Sequence, residues 1–211
     1  MEKNENLEIC KNCGGMCCKK SGCDLWIEDI EDKTQKGILE LLATEKYSIV
    51  ALMNFKKVNG KICNMPFLYL RARNQNRDIV DLLSMKTTCI NLRDNGCEFS
   101  YENRPSGGKN LTPLESGNCA PKENPFEKIK LWAPYQNLLA KIVKRYTGKS
   151  VDRVVREDAI RLIKDIASNN INGVSPLELA DIKGMLPLLA QCYPEEVQIA
   201  LKSVKNTPLK F

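Results

Sequence analysis

Ten cysteines in 211 residues, with no histidine at all, limit the chemistry this chain can do. Five of the thiols crowd into one short segment, in the order Cys10-x2-Cys13-Gly14-Gly15-Met16-Cys17-Cys18-x4-Cys23. Two residues between Cys10 and Cys13 let a loop turn so that both sulfurs meet one ion, while backbone N–H groups point at the thiolates. Gly14 and Gly15 free the chain from Cβ clashes just after the second sulfur. Far along the chain, Cys89 and Cys97 flank a tight turn, Asp94-Asn95-Gly96, which brings the two together at the ends of a small hairpin. A lone CxxC is equally a redox dithiol. A CxxC followed by a Cys-Cys pair, another Cys and a distant Cys-hairpin-Cys points to metal binding. The absence of histidine removes Cys/His fingers, His-based triads, haem–His ligation and most catalytic zinc sites. A transition metal would be held mainly by thiolate, with Asp or Glu as helpers. All-thiolate sites suit Zn2+ or an iron–sulfur cluster such as 4Fe–4S.

The compartment decides how the thiols are read. The first residues, Met1-Glu2-Lys3-Asn4-Glu5-Asn6, lack the apolar core of a secretory signal. No apolar run approaches the ~18 residues of a membrane helix. The expectation is a cytoplasmic protein with no membrane segment, where clustered thiols hold metal rather than form structural disulfides. A secreted disulfide scaffold is the competing reading, and the uneven spacing argues against it. The net charge of +6 lies mostly in residues 126 to 211 (+5), with +1 in the first 125. This is mild basicity, weaker than a nucleic-acid footprint, so nucleic acid is not an expected partner. The run from Lys128 to Lys164, with ten basic and three acidic residues, reads as a solvated helical face. Its aromatics, Trp132, Tyr135 and Tyr146, suit packing as well as base stacking.

The elements that must position these thiols can be read from pattern. Residues 1 to about 25 are too polar and too rich in Gly and Cys for regular structure, and read as a loop wrapped on a metal. Residues 28 to 45 read as a helix, with Glu28, Asp29, Glu31 and Asp32 as its solvated start. Tyr47 to Leu52 reads as a strand. Asn59-Gly60 is the strongest hairpin signal in the chain, between Asn54–Val58 and Ile62–Arg73. From 126 onward the pattern is helical. Pro134 and Gly148 bracket one helix, Ser150 caps a second to about Ser168, and Ser175-Pro176-Leu177-Glu178 is a capping box. Pro187 is expected to kink or end that third helix, and a last one begins near Pro194. The fold class is therefore α+β and mostly helical. A Cys-rich, metal-nucleated domain with short β-hairpins spans 1–125, and an α-helical extension spans 126–211.

Cys10-x2-Cys13-x3-Cys17-Cys18 resembles the signature of the YkgJ-type family of zinc- or iron-chelating domains. The run Cys89-Ile-Asn-Leu-Arg-Asp-Asn-Gly-Cys97-Glu-Phe-Ser-Tyr101-Glu-Asn-Arg104-Pro105 is similar to that family's second motif: a Cys, a short hairpin, a second Cys, an aromatic and Arg-Pro. The intervening Tyr47-Ser-Ile and Tyr69-Leu-Arg-Ala-Arg73 resemble a variant of it. The resemblance covers about residues 10 to 120 and leaves out the helical tail. In the family, Arg-Pro is followed after two residues by another Cys, and that position is Gly108 here. Either the site has one ligand fewer or Cys119 takes over. Cys119 is the expected replacement, because the Gly107-Gly108 pair lets the following loop fold back.

The resemblance implies a metal site drawn from Cys10, Cys13, Cys17, Cys18, Cys89, Cys97 and Cys119, with Cys23 in reserve. Adjacent cysteines rarely share one tetrahedral ion, since their side chains diverge; this implies one site with spare thiols, or two sites. Cys63 and Cys192 read as buried structural cysteines. Arg104 is expected to orient the loop beside the site, and Ser106-Gly107-Gly108-Lys109 lacks the full phosphate-loop pattern. The leading expectation is a binding protein whose metal organises the fold, with a helical tail that packs on it or recruits a protein partner. The alternatives are an iron–sulfur-dependent protein-modifying enzyme, since flagellin lysine N-methylases contain a similar cysteine cluster, and a redox or electron-transfer protein.

Overall fold

A computed structural model describes residues 14–83, 85–94, 96–113 and 119–203. Cys10 and Cys13 lie outside the described residues. The architecture is α+β, about 49% helical, with small two-stranded sheets and a helical C-terminal part. Two compact units divide the chain. One comprises Met1–Ser48, Leu70–Ile79 and Thr87–Tyr135; the other comprises Ile49–Tyr69, Val80–Lys86 and Gln136–Phe211.

The first unit begins with a short helix, α1 (Met16–Lys20), entered through Gly15 in the left-handed region (φ 75°). The segment read as an irregular loop therefore contains helix. The helix expected from residue 28 starts later: Ile27–Asp29 is a single 3-10 turn, and α2 spans Gln35–Ala43. The reason is a better cap downstream. The Asp32 carboxylate accepts from the Thr34 backbone N–H at 2.9 Å, and Thr34 Oγ1 in turn accepts from the Gly37 N–H at 3.3 Å. Strand β1 (Tyr47–Leu52) pairs with β4 (Phe67–Ala72), and both strands pass from one unit into the other. Short hairpins follow: β5 (Leu92–Arg93) with β6 (Gly96–Cys97), and β7 (Leu111–Pro113) with β8 (Cys119–Pro121). Between them lies α3 (Ser106–Lys109), where a phosphate loop was the weak alternative. Helix α4 (Pro125–Lys130) closes the unit and leads to Trp132. That indole is fully buried and donates to the Leu25 carbonyl at 3.0 Å, so it packs and offers no face to a base.

The second unit holds β2 (Phe55–Val58) and β3 (Lys61–Asn64), in register Val58↔Lys61. Asn59 (φ 49°) and Gly60 (φ 80°) make the two-residue turn that their sequence announces. Four helices follow: α5 (Gln136–Thr147), α6 (Val151–Ala167), α7 (Pro176–Cys192) and α8 (Pro194–Ser203). Their inward faces carry Leu139, Ile142, Val155, Leu162, Ile163 and Leu189, all buried. Ser150 and Ser175 cap as expected, accepting from the Arg153 and Glu178 N–H groups. Glu178 does not close its capping box; its carboxylate accepts from the Lys86 N–H at 3.2 Å instead. Helix α7 runs through Pro187 to Cys192 rather than ending there. Cys63, expected in the core, is exposed, and the Cys192 sulfur contacts the Ile62 carbonyl at 3.3 Å. Among the described residues no helix is long and apolar enough to cross a membrane.

Candidate metal centre

The cysteine-bearing segments of the first unit are tied by backbone. The Cys89 N–H donates to the Cys18 carbonyl at 2.7 Å, which joins α1 to the segment before β5. Asn74, buried, accepts from the Gly22 N–H at 2.8 Å through its side chain and bridges Cys89 through its backbone. Gly15 packs so closely on this hairpin that a Cβ there would stand 2.5 Å from Leu92 Cδ1. In the β5–β6 register Leu92 lies opposite Cys97, and the Glu98 N–H donates to the Asn91 carbonyl at 2.8 Å. The chain thus folds residues some seventy positions apart in sequence onto one short helix.

The result is a convergence of thiols. Cys17 and Cys18 sulfurs lie 4.0 Å apart. The expected divergence of adjacent cysteines is not seen: sulfurs bound at ~2.3 Å around one tetrahedral ion would stand roughly 3.8 Å apart. The Cys18 thiol meets three partners, Cys17, Cys89 and Cys97. Hydrogen bonding to these neighbours, together with burial, pushes its pKa up. Hydrogen bonding from Cys18 lowers Cys17 to about 6, against the cost of burial and with help from the Arg104 charge. Cys97 is lowered to about 6, first by Cys18, then by the Phe99 backbone and by Arg104, whose side chain also bonds it. Cys89 is lowered by Cys18 first and by Asn91.

Arg104 supplies positive charge beside Cys17 and Cys97. Its guanidinium lies 5.9 Å from the Tyr101 ring centroid, and its buried Nε has no hydrogen-bond partner among the described residues. Nearby, Asp29 accepts from the Ser106 N–H at 2.9 Å and from its hydroxyl at 2.6 Å, which fixes the start of α3. The same carboxylate accepts from the Trp26 N–H at 2.8 Å. Asp29 is therefore a structural anchor within the acidic run that the sequence presents as a solvated helix start. Half-buried Tyr47 is pushed up by burial first, then by the charges of Cys23, Asp29, Cys89 and Cys97.

Of the seven expected ligands, Cys17, Cys18, Cys89 and Cys97 come together, and Cys10 and Cys13 fall outside the described residues. Cys119 stands in β8 opposite Pro113. Among the described residues no set of three or more Cys, Asp or Glu side chains closes into a metal-holding group. The described thiols gather on the Cys18 sulfur rather than on a common centre. Their chemistry nevertheless fits a soft cation: one buried and three half-buried thiols, with the pKa of two lowered, and one arginine beside them. Sequence reasoning placed Cys23 only in reserve. A Cβ on Gly108 would stand 3.3 Å from its sulfur. Comparison with family models, curated proteins and solved structures finds no match in any of the three. The likeness to zinc- or iron-chelating domains rests on the two cysteine motifs alone.

Proposed function

We propose that this chain is a metal-binding protein that holds Zn2+ or an iron–sulfur cluster in a cysteine cluster within its first unit. The observation that supports it is the meeting of the Cys18 thiol with those of Cys17, Cys89 and Cys97. Zinc or iron binds thiolates directly, and the free energy of that binding becomes folding free energy. Cys10 and Cys13 belong to the proposed ligand set through their spacing, and Cys119 through the Gly108 departure. The two motifs support membership of the zinc- or iron-chelating family, and the eight described cysteines, all free thiols, suit a reducing cytoplasm.

Purification without oxygen followed by elemental analysis tests the reading. A colourless protein with about one zinc per chain, or a brown one with iron and sulfide in equal amounts, is the expected result. Cys97→Ser should empty the site, whereas Cys192→Ser should leave it filled. Wild-type protein that carries neither metal, and takes up neither on reconstitution, would sink the proposal.

A further inference from the structure

We propose that Cys63 and Cys192 are a redox pair, which a small-molecule disulfide such as oxidised glutathione closes into a bond between β3 and the end of α7. Both thiols lie in the second unit and outside the proposed metal ligands, so the inference stands apart from the metal-binding reading. Strand β3 and helix α7 pack on each other. Two contacts flank Cys63 along the strand. One residue before it, the Ile62 carbonyl accepts from the Cys192 thiol at 3.3 Å. One residue after it, the Asn64 side-chain amide donates to the Tyr193 hydroxyl at 3.2 Å. Paired backbone groups alternate along an antiparallel hairpin. Since Val58↔Lys61 closes the two-residue turn, the Ile62 carbonyl points away from β2 and toward the end of α7. A carbonyl oxygen stands about 2.8 Å from the next Cα, so the Cys192 sulfur lies within about 6 Å of the Cys63 Cα. A disulfide sets a sulfur roughly 4 Å from its partner's Cα, so closure needs a shift of no more than about 2 Å.

Exposure assigns the roles. Cys63 is exposed, whereas Cys192 is half-buried, and burial first and the Cys63 charge second push its thiol up. The Cys63 thiolate therefore attacks one sulfur of the glutathione disulfide, releases one reduced glutathione and carries the other as an adduct. Cys192 then gives up its proton, attacks the Cys63 sulfur and releases the second glutathione. Two protein thiols are oxidised, one small disulfide is reduced, and the two thiol protons end on the two glutathione molecules. The new bond replaces a weak sulfur–carbonyl contact and holds the Tyr193 corner, between α7 and α8, against the hairpin. Excess reduced glutathione reverses each step.

The test uses the full chain, equilibrated without oxygen in glutathione buffers of stepped oxidised-to-reduced ratio. Thiols are then trapped with iodoacetamide, and the digested protein is mapped by mass spectrometry for wild type and Cys192→Ser. With total glutathione at about 0.1 mM, an internal thiol at an effective concentration of about millimolar outcompetes it roughly 10-fold. In wild type the peptide that links Cys63 to Cys192 should therefore exceed the Cys63 glutathione adduct, and any other Cys63 linkage, by about that factor. In Cys192→Ser the same buffer should leave Cys63 as the glutathione adduct, about 10-fold more abundant than in wild type. Three wild-type results overturn the inference: Cys63 recovered chiefly as the adduct, Cys63 linked chiefly to another cysteine, or both thiols still reduced at the most oxidising ratio. The wild-type map decides alone if Cys192→Ser fails to fold. Metal per chain is measured on the same samples. Empty protein that forms the link removes the metal reading only, and loaded protein without the link removes this inference only.

Discussion

The two units are nearly equal in length, yet of the apolar side chains buried among the described residues nine belong to the first and twenty-three to the second. In the second unit four helices present apolar faces to one another, and the hydrophobic effect can offset the entropy of ordering them. The first unit has short strands, a five-residue helix, three buried asparagines and capping carboxylates, which fix direction and register more than they stabilise. The convergent thiols are where a cross-link in such a unit would act. Two ways of making a folded unit thus coexist in one chain: apolar helix packing, and, on the proposed reading, a metal tie between distant loops.

The sharpest way to break this contrast is to remove the metal. Structural zinc contributes about 10–16 kcal/mol in small zinc-binding peptides, so stripping it should unfold the first unit locally. Hydrogen exchange of the Cys89 and Glu98 amides should then quicken by at least about 100-fold, while the α6 amides keep their protection. Equal loss in both units, or none in the first, would remove the distinction. The converse change is Leu189→Ala, at a fully buried position in α7. Truncation there should lower stability in urea by about 2–5 kcal/mol and leave the metal content at the wild-type value. A fall in metal content would show that the two units do not stand apart.

How much of this was legible beforehand follows the same division. The helices of the second unit were readable because their signals are local: Ser150 and Ser175 cap within three residues, and Gly148 adopts φ 71° just past α5. Of the two outcomes expected at Pro187, ending the helix is not the one seen, since α7 continues through it to Cys192. In the first unit the thiols were legible as chemistry, but their grouping was not. Cys18 meets Cys89 through a backbone pairing across the chain, and the segment of Cys23 pairs with β4. Neither contact leaves a periodic trace. Asp29 shows the same limit: composition makes it a helix-start acid, while the fold uses it to hold Ser106.

The smallest expected effect concerns pH, and here the units should respond with opposite signs. Asp158 on α6 is buried; its carboxylate accepts from the Leu82 and Leu83 N–H groups at 3.0 and 3.2 Å and pairs with Arg161 at 3.0 Å, which also pairs with Asp81. Burial raises it from 3.8 to about 6, with Asp81 adding to the rise and Arg161 opposing it. A folded-state pKa above the unfolded one means that the native unit binds the extra proton. Its contribution is present in acid and is lost as pH rises from about 4 to about 6, by roughly 1–3 kcal/mol. Asp158→Asn keeps an acceptor for the two N–H groups and should flatten this slope, read from α6 exchange across that range. The proposed metal tie in the first unit weakens in the other direction, because its thiolates take up protons and release metal as the pH falls. Exchange resolved by residue should therefore show the α6 amides gaining protection on acidification while the Cys89 and Glu98 amides lose it. If both sets moved together, the Asp158 carboxylate would not be the group responsible, and the contrast between an apolar unit and a metal-tied one would lose its clearest signature.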